Sequence, residues 1–319
     1  MSRRSRNTVY RKLRRAYSQD VLEQVLTRPE TDFGFAYGMQ TFEAEEARAP
    51  EDYYHFKNNG SRVLATAHLD TVVRPKERKP HFFRTEHGPA LTSGALDDRL
   101  GAYVILELLP QAGVTCDWLL TVGEESCRST AEWFNPQGKD YDWIIEFDRA
   151  GTDVVMYQYE DAATTRLVEE DGGPRVGDGS FSDIAVLEHL GVKGFNWGVG
   201  YGGNYHSKDG YAYLTDTFSM VRKYLKFHER NYGTRLVHES QKWESVFYGK
   251  YDKSRTHYID CPLCGVEDGV DADLLVCDYC EKCIECRVDM NDCYCYSDSL
   301  KKQSTQTVAM IHKGWLDSA

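Results

Sequence analysis

Apolar positions along this chain change their period, and the changes mark its elements. Val9, Leu13, Tyr17, then Leu22, Val25 and Leu26 recur at helical spacing, which predicts one or two amphipathic helices near the start. From about residue 60 to 230, short apolar runs alternate with amphipathic stretches. Residues 62–69, 118–122, 143–147, 154–159 and 194–198 read as strands; 99–109, 182–190 and 217–228 read as helices. Apolar strands alternating with helices imply an α/β sheet covered on both faces, a three-layer α/β/α arrangement. No internal repeat interrupts it. After residue 230 the periodicity fades, and at Cys261 a cysteine-dense segment begins. The expected organisation is a helical lead-in over 1–59, an α/β domain over 60–230, a linker or packing strap over 231–260, a cysteine module over 261–296 and a tail over 297–319.

Composition narrows the class. The 319 residues are 41 % hydrophobic and 28 % charged, which excludes a largely disordered chain, a coiled-coil rod and a collagen-like repeat. No apolar run approaches the ~18 residues that a membrane helix needs, so no membrane association is expected. A net charge of −12 argues against nucleic acid as a partner. The charge is uneven, however: residues 1–20 carry seven bases and one acid, and residues 261–319 carry five bases and eleven acids. The basic start has no apolar core of signal-peptide length. Its expected location is therefore cytoplasmic, with organelle targeting by the Arg- and Ser-rich start as the alternative.

The residues that bear chemistry sit where strands end. The strand-like VLATA runs into His68-Leu69-Asp70, and residues two apart in a strand share a face, so His68 and Asp70 can point the same way. A histidine ligand held beside a carboxylate that orients it is a common metal-site device. The loop 94–101 delivers Asp97 and Asp98 to the start of a helix. WLLTV ends in Gly123-Glu124-Glu125, WIIEF ends in Asp148, and His206 lies in a glycine-rich loop. Singly, each has an ordinary explanation as a turn, a cap or a solvated acid. Together, two histidines and several carboxylates after predicted strands converge on the crevice where open α/β sheets bind ligands. Mixed imidazole and carboxylate donors favour zinc, with manganese or cobalt as alternatives.

The set AHLDTV, GALDDRLG, TVGEES, WIIEFD and YHS resembles, in order and context, the paired-metal zinc exopeptidase superfamily, over roughly residues 60–230. That group includes aminopeptidases, tripeptidases, carboxypeptidases and N-acyl amino acid deacylases. The resemblance implies that His68 and Asp148 hold one zinc, Glu125 and His206 the other, and Asp97 bridges both. It further implies Asp98 behind the bridge, Asp70 as the acid orienting His68, and Glu124 as general base. The intervals 68–97 and 148–206 are too short for a separate lid or dimerisation domain. The minimal catalytic core is therefore expected, with peptides or N-acyl amino acids as substrates. Three neighbours carry weaker expectations: Ser182-Asp183 either as a Ser-Asp turn of the kind common in the superfamily it resembles or as a helix cap, Tyr201 and Tyr205 as pocket wall or oxyanion donors, and Cys127 as a buried packing thiol.

Eight of the ten cysteines, Cys261, Cys264, Cys277, Cys280, Cys283, Cys286, Cys293 and Cys295, fall in 35 residues. Two CxxC pairs twelve residues apart have zinc-ribbon-like spacing. Eight thiols suit two structural four-cysteine zinc sites, for which four disulfides or iron–sulfur ligation are the alternatives. So small a module depends on its metals for folding energy, and it is expected to be structural or to recruit a protein partner. The whole then reads as a zinc-dependent metallopeptidase of aminopeptidase type. The competing functions are an N-acyl amino acid deacylase and a non-catalytic adaptor that carries the zinc module.

Overall fold

The computed structural model describes residues 13, 16–43, 52–179 and 181–239, together with the backbone of three short strands between 258 and 277. The chain divides into two units, Met1–Ser240 and Gln241–Ala319. In chain order the first unit contains α1 (Gln19–Thr27), α2 (Asp32–Tyr37), β1 (Gln40–Glu43), β2 (Tyr53–Lys57), β3 (Val63–His68), β4 (His81–Thr85), β5 (Gly88–Thr92) and α3 (Leu96–Tyr103). There follow β6 (Asp117–Thr121), β7 (Trp143–Arg149), β8 (Val154–Val155), α4 (Ala162–Leu167), β9 (Val176–Gly177), β10 (Gly194–Gly198), β11 (Tyr201–Gly202), β12 (Tyr211–Tyr213) and α5 (Leu214–Asn231). Among the described residues, no helix is long and apolar enough to cross a membrane.

The fold is mixed α/β. Eight strands form one sheet in the order β1-β2-β6-β3-β7-β10-β8-β9. Strands β6, β3, β7 and β10 run parallel at its centre, so their carboxyl ends open on one edge. β3 is buried at all six positions, as a central strand covered on both faces must be. Alternation along β7 separates the faces. Trp143 and Phe147 point to α5, where Tyr224 and Phe227 meet them edge-on at 5.4–5.9 Å. Each such buried aromatic contributes on the order of 2–3 kcal/mol of transfer free energy. Glu146 points to the other face. There Thr66 and Thr121, with Glu146, meet Ser182 and Asp183 at the start of a 3-10 turn. A second, four-stranded sheet, in the order β11-β12-β5-β4, carries the hairpin of the 68–97 interval.

Four local expectations are corrected. Residues 154–159 are a strand only at Val154–Val155, since Tyr157 turns into left-handed backbone at φ 48°. Residues 182–190 are two 3-10 turns, Asp183–Val186 and Glu188–Leu190, and not a helix. Of the two readings of Ser182-Asp183, the cap does not hold and the pair opens a 3-10 turn: Ser182 donates to Glu146, and Asp183 accepts from Ser129 at 2.5 Å and from Thr66 at 3.2 Å. Satisfying buried sheet residues outweighs helix propensity there. Strands β1 and β2, before residue 60, extend the main sheet, where only helices were expected.

Arg99 fastens the amino-terminal helices to the edge that carries His68 and Asp70. Fully buried, it donates to Leu69 O at 2.7 Å and to Arg28 O at 3.0 Å. It also lies 3.2 Å from Glu30 and 4.8 Å over the Phe33 ring. Arg99→Met strands several buried acceptors together with Glu30. It is expected to lower unfolding free energy by about 3–5 kcal/mol, seen as a fall in denaturant midpoint.

In the second unit, Tyr258–Ile259, Val270–Asp271 and Val276–Cys277 form a small antiparallel sheet. Apart from the backbone of Cys277, the cysteines expected to hold structural zinc lie outside the described residues.

Candidate metal centre

Five segments meet at the carboxyl edge of β3, β6 and β7. His68 ends β3 with its side chain fully buried, and Nδ1 faces Asp70, 3.0 Å from its carbonyl and 3.5 Å from Oδ1. With Nδ1 held there, Nε2 is the atom presented to the site. It lies 3.1 Å from Asp97 Oδ1, 3.7 Å from Glu124 Oε2 and 3.9 Å from Asp148 Oδ2. The second Asp97 oxygen lies 2.8 Å from Nε2 of His206, which the β11–β12 loop supplies. One carboxylate therefore spans two imidazoles.

Local backbone chemistry aims the remaining acids. Asp97 and Asp98 lie at the non-helical start of α3, joined by a cis peptide bond. Gly101 lets that turn press onto β7, because a Cβ there would sit 2.1 Å from Asp98 Oδ1 and 2.5 Å from Phe147 O. After β6 the chain reverses at Gly123 (φ 85°), where a Cβ would stand 2.6 Å from Arg128 O. Arg128 N–H donates to Gly123 O at 3.0 Å and closes the turn that displays Glu124 and Glu125. The Glu125 N–H donates to Asp70 Oδ2 at 3.1 Å, which ties this turn to the His68 strand. Asp148 Oδ1 accepts from the Tyr201 hydroxyl at 2.6 Å, and Asn196 brackets the Asp148 backbone at 2.8 and 2.9 Å.

The electrostatics show a surplus of negative charge. Burial, together with Asp183, Asp97 and Glu125, pushes the Glu124 carboxyl up to about 8; burial and Asp97 push Glu125 up to about 6. Burial raises Asp148 and Asp98 well above the carboxylate range. Burial alone would lower His68, yet Asp70 and Asp97 outweigh it and raise it. Oxygens of Asp98 and Glu125 are buried without a hydrogen-bond partner among the described residues. Buried carboxylates in that state call for a cation. The donor atoms of His68, Asp97 and Glu125 all lie within 4.8 Å of one another, so these residues can hold a metal ion. Imidazole plus carboxylate fits zinc.

All eight expected site residues, His68, Asp70, Asp97, Asp98, Glu124, Glu125, Asp148 and His206, thus gather in one place. A cavity of about 210 Å³ is lined by five of them, Asp97, Glu124, Glu125, Asp148 and His206. One further reading changes: Cys127 is exposed and lines the cavity instead of packing in the core, since its left-handed backbone (φ 54°) carries it outward. Tyr201 and Tyr205 line the cavity as pocket wall, and the Tyr201 hydroxyl is committed to Asp148. Sequence reasoning passed over Asn196, Tyr157 and Arg149. For Asn196 the signal was there: an amide inside the apolar strand GFNWG needs a buried partner.

No protein-family model and no curated protein matches the sequence. Among solved structures, the chain is similar to a tripeptidase from Staphylococcus aureus, with TM-score 0.49 and 13 % identity over 68 % of this chain and 97 % of that one. It is also similar to the aminopeptidase PepT of Bacillus cereus, with TM-score 0.48 and 12 % identity over 68 % and 97 %. A TET aminopeptidase from a marine sediment archaeon gives TM-score 0.47 and 12 % identity over 66 % and 95 %.

Proposed function

We propose that this chain is a metal-dependent hydrolase of amide bonds in short peptides, an exopeptidase of aminopeptidase type with Glu124 as general base. The observation that carries this reading is Asp97, a buried carboxylate set between His68 and His206 at the floor of a cavity that Glu124 also lines. On this reading His68 and Asp148 would hold one zinc, Glu125 and His206 would hold a second, and Asp97 would serve both; manganese and cobalt are the alternative ions. When bound, the ions polarise the scissile carbonyl and acidify water. The chain's own residues do the rest. Glu124, its side chain 13 % exposed, takes a proton from the attacking water and returns it to the leaving amine. Asp70 fixes the His68 ring, and Tyr201 fixes Asp148, so the donors are set before substrate arrives. The cavity is smaller than the ~300–1,000 Å³ of drug-sized sites, which suits short substrates. The cysteine module is assigned a structural or partner-recruiting role, with two zincs of its own.

Hydrolysis of triglycine and of N-acetylated amino acids by the zinc-loaded full chain, with and without chelator, tests the assignment. Chelator-sensitive release of glycine from unblocked triglycine is expected. Activity confined to N-acyl substrates would move the assignment to a deacylase, and no chelator-sensitive amide hydrolysis would reject a hydrolase.

A further inference from the structure

The cavity holds one permanent positive charge among its described lining residues, and the hydrolytic chemistry makes no use of it. Arg149 ends β7 directly after Asp148 and lines the cavity. Its guanidinium is gripped along one edge: Nε donates to Asp153 Oδ1 at 3.2 Å and Nη2 to Asp153 Oδ2 at 3.1 Å. No acceptor among the described residues takes Nη1. The loop beneath is stapled to the β10–β11 segment, with Val199 N–H donating to Arg149 O, Gly200 N–H to Gly151 O and Gly198 N–H to Asp153 O, all at 2.8–2.9 Å. β9 leaves room for the pair only because residue 177 is glycine, where a Cβ would fall 2.1 Å from Asp153 Oδ2. The arginine is thus pre-positioned, with one end of its fork unused.

The wall around it is aromatic. Phe181, Tyr157 and Tyr205 line the same cavity, and Tyr157 holds a left-handed backbone that a bulky residue adopts only at a cost. Its hydroxyl donates to Phe181 O at 3.1 Å and accepts from Asn196 at 3.2 Å, which holds that conformation in place. A guanidinium paired along one edge with Asp153, in an otherwise acidic, aromatic-walled cavity, selects a planar anion, because its unused end can pair with a carboxylate and two metal ions would hold the neighbouring acids.

We infer that Arg149 is a specificity-determining residue, and that the substrates are short peptides carrying a carboxylate on the portion seated in this cavity. This rests on the hydrolase reading for its reaction, not for its recognition. The carboxylate comes either from the substrate's C-terminus or from an acidic side chain, and two substrate pairs separate these sources. Triglycine against triglycinamide tests the terminus; Glu-Gly-Gly against Gln-Gly-Gly tests the side chain.

In the zinc-loaded full chain, kcat/KM is expected to favour the carboxylate member of one pair by about 10- to 100-fold. Arg149→Met should bring that ratio to near one, and Arg149→Lys, with charge but no fork, should leave it in between. Calorimetric binding of the same four peptides to zinc-loaded Glu124→Gln protein separates recognition from catalysis. Discrimination in binding without turnover in the parent chain would uphold the role of Arg149 and reject the hydrolase. Turnover of both members of each pair at equal kcat/KM, or equal or absent binding of all four peptides, would overturn the inference. A ratio unchanged in Arg149→Met would overturn it too.

Discussion

Zinc-loaded protein carrying Glu124→Gln is expected to hydrolyse short peptides about 10²–10⁴ times more slowly than the parent, the range that removal of a positioned general base gives. The change is nearly isosteric, and the side chain lies in a crowded site 3.7 Å from His68 Nε2, so neither fold nor zinc content should alter. Glutamine still accepts a hydrogen bond from water but cannot take its proton. Without cations this carboxyl sits near 8, where it would be a protonated and useless base at neutral pH. Divalent charge beside it restores the carboxylate, so the base and the ions work only together. Steady-state kinetics and metal analysis on the same preparation check this. A drop in kcat with zinc retained supports the assignment, and near-parental turnover removes Glu124 from it.

The second large effect is on stability. In the metal-free protein Glu124 and Glu125 titrate at about 8 and 6, above their ordinary 4.5, so from about pH 5 to 8 the folded state binds more protons than the unfolded chain. Stability must then fall as pH rises through that window. His68, also raised, adds in the same direction. Zinc replaces those protons, so its stabilisation should grow with pH. At ~1,000 times its dissociation constant it supplies about 4 kcal/mol, or about 8–16 °C in Tm for a unit of this size. Thermal melts at pH 5.5 and 8, with zinc or with chelator, measure this. Asp97→Asn, which removes the carboxylate between the imidazoles, should abolish the pH-dependent part of the gain. The cysteine module's own response to zinc is common to both proteins and cancels in that comparison.

The central α/β pattern was legible because burial on both faces writes itself as apolar runs, and β3, β6, β7 and β10 appear where those runs lie. The clustering of the candidate donors was legible for a related reason: they follow strand ends and keep a recognisable order. What escaped was set by tertiary contacts. The hairpin β4–β5 and strand β1 are short and largely half-exposed, so their period is weak, and β2, though mostly buried, is only five residues of mixed aromatic and polar type. Ser182 and Asp183 follow a helical pattern in sequence, but Glu146, Thr121 and Ser129, far away along the chain, claim their side chains. Cys127 reads as an ordinary small hydrophobe until the turn at Gly123 carries it outward. Arg149 is invisible as a site residue in sequence, since nothing local distinguishes it from a solvated arginine after a strand.

The most direct test of the account is an anomalous difference map at the zinc edge from crystals of the full chain grown with zinc. Two peaks flanking the Asp97 carboxylate are expected, one between His68 and Asp148 and the other between Glu125 and His206. A map with zinc elsewhere in the chain and no density beside Asp97 would contradict the claim that these residues form a hydrolytic metal centre.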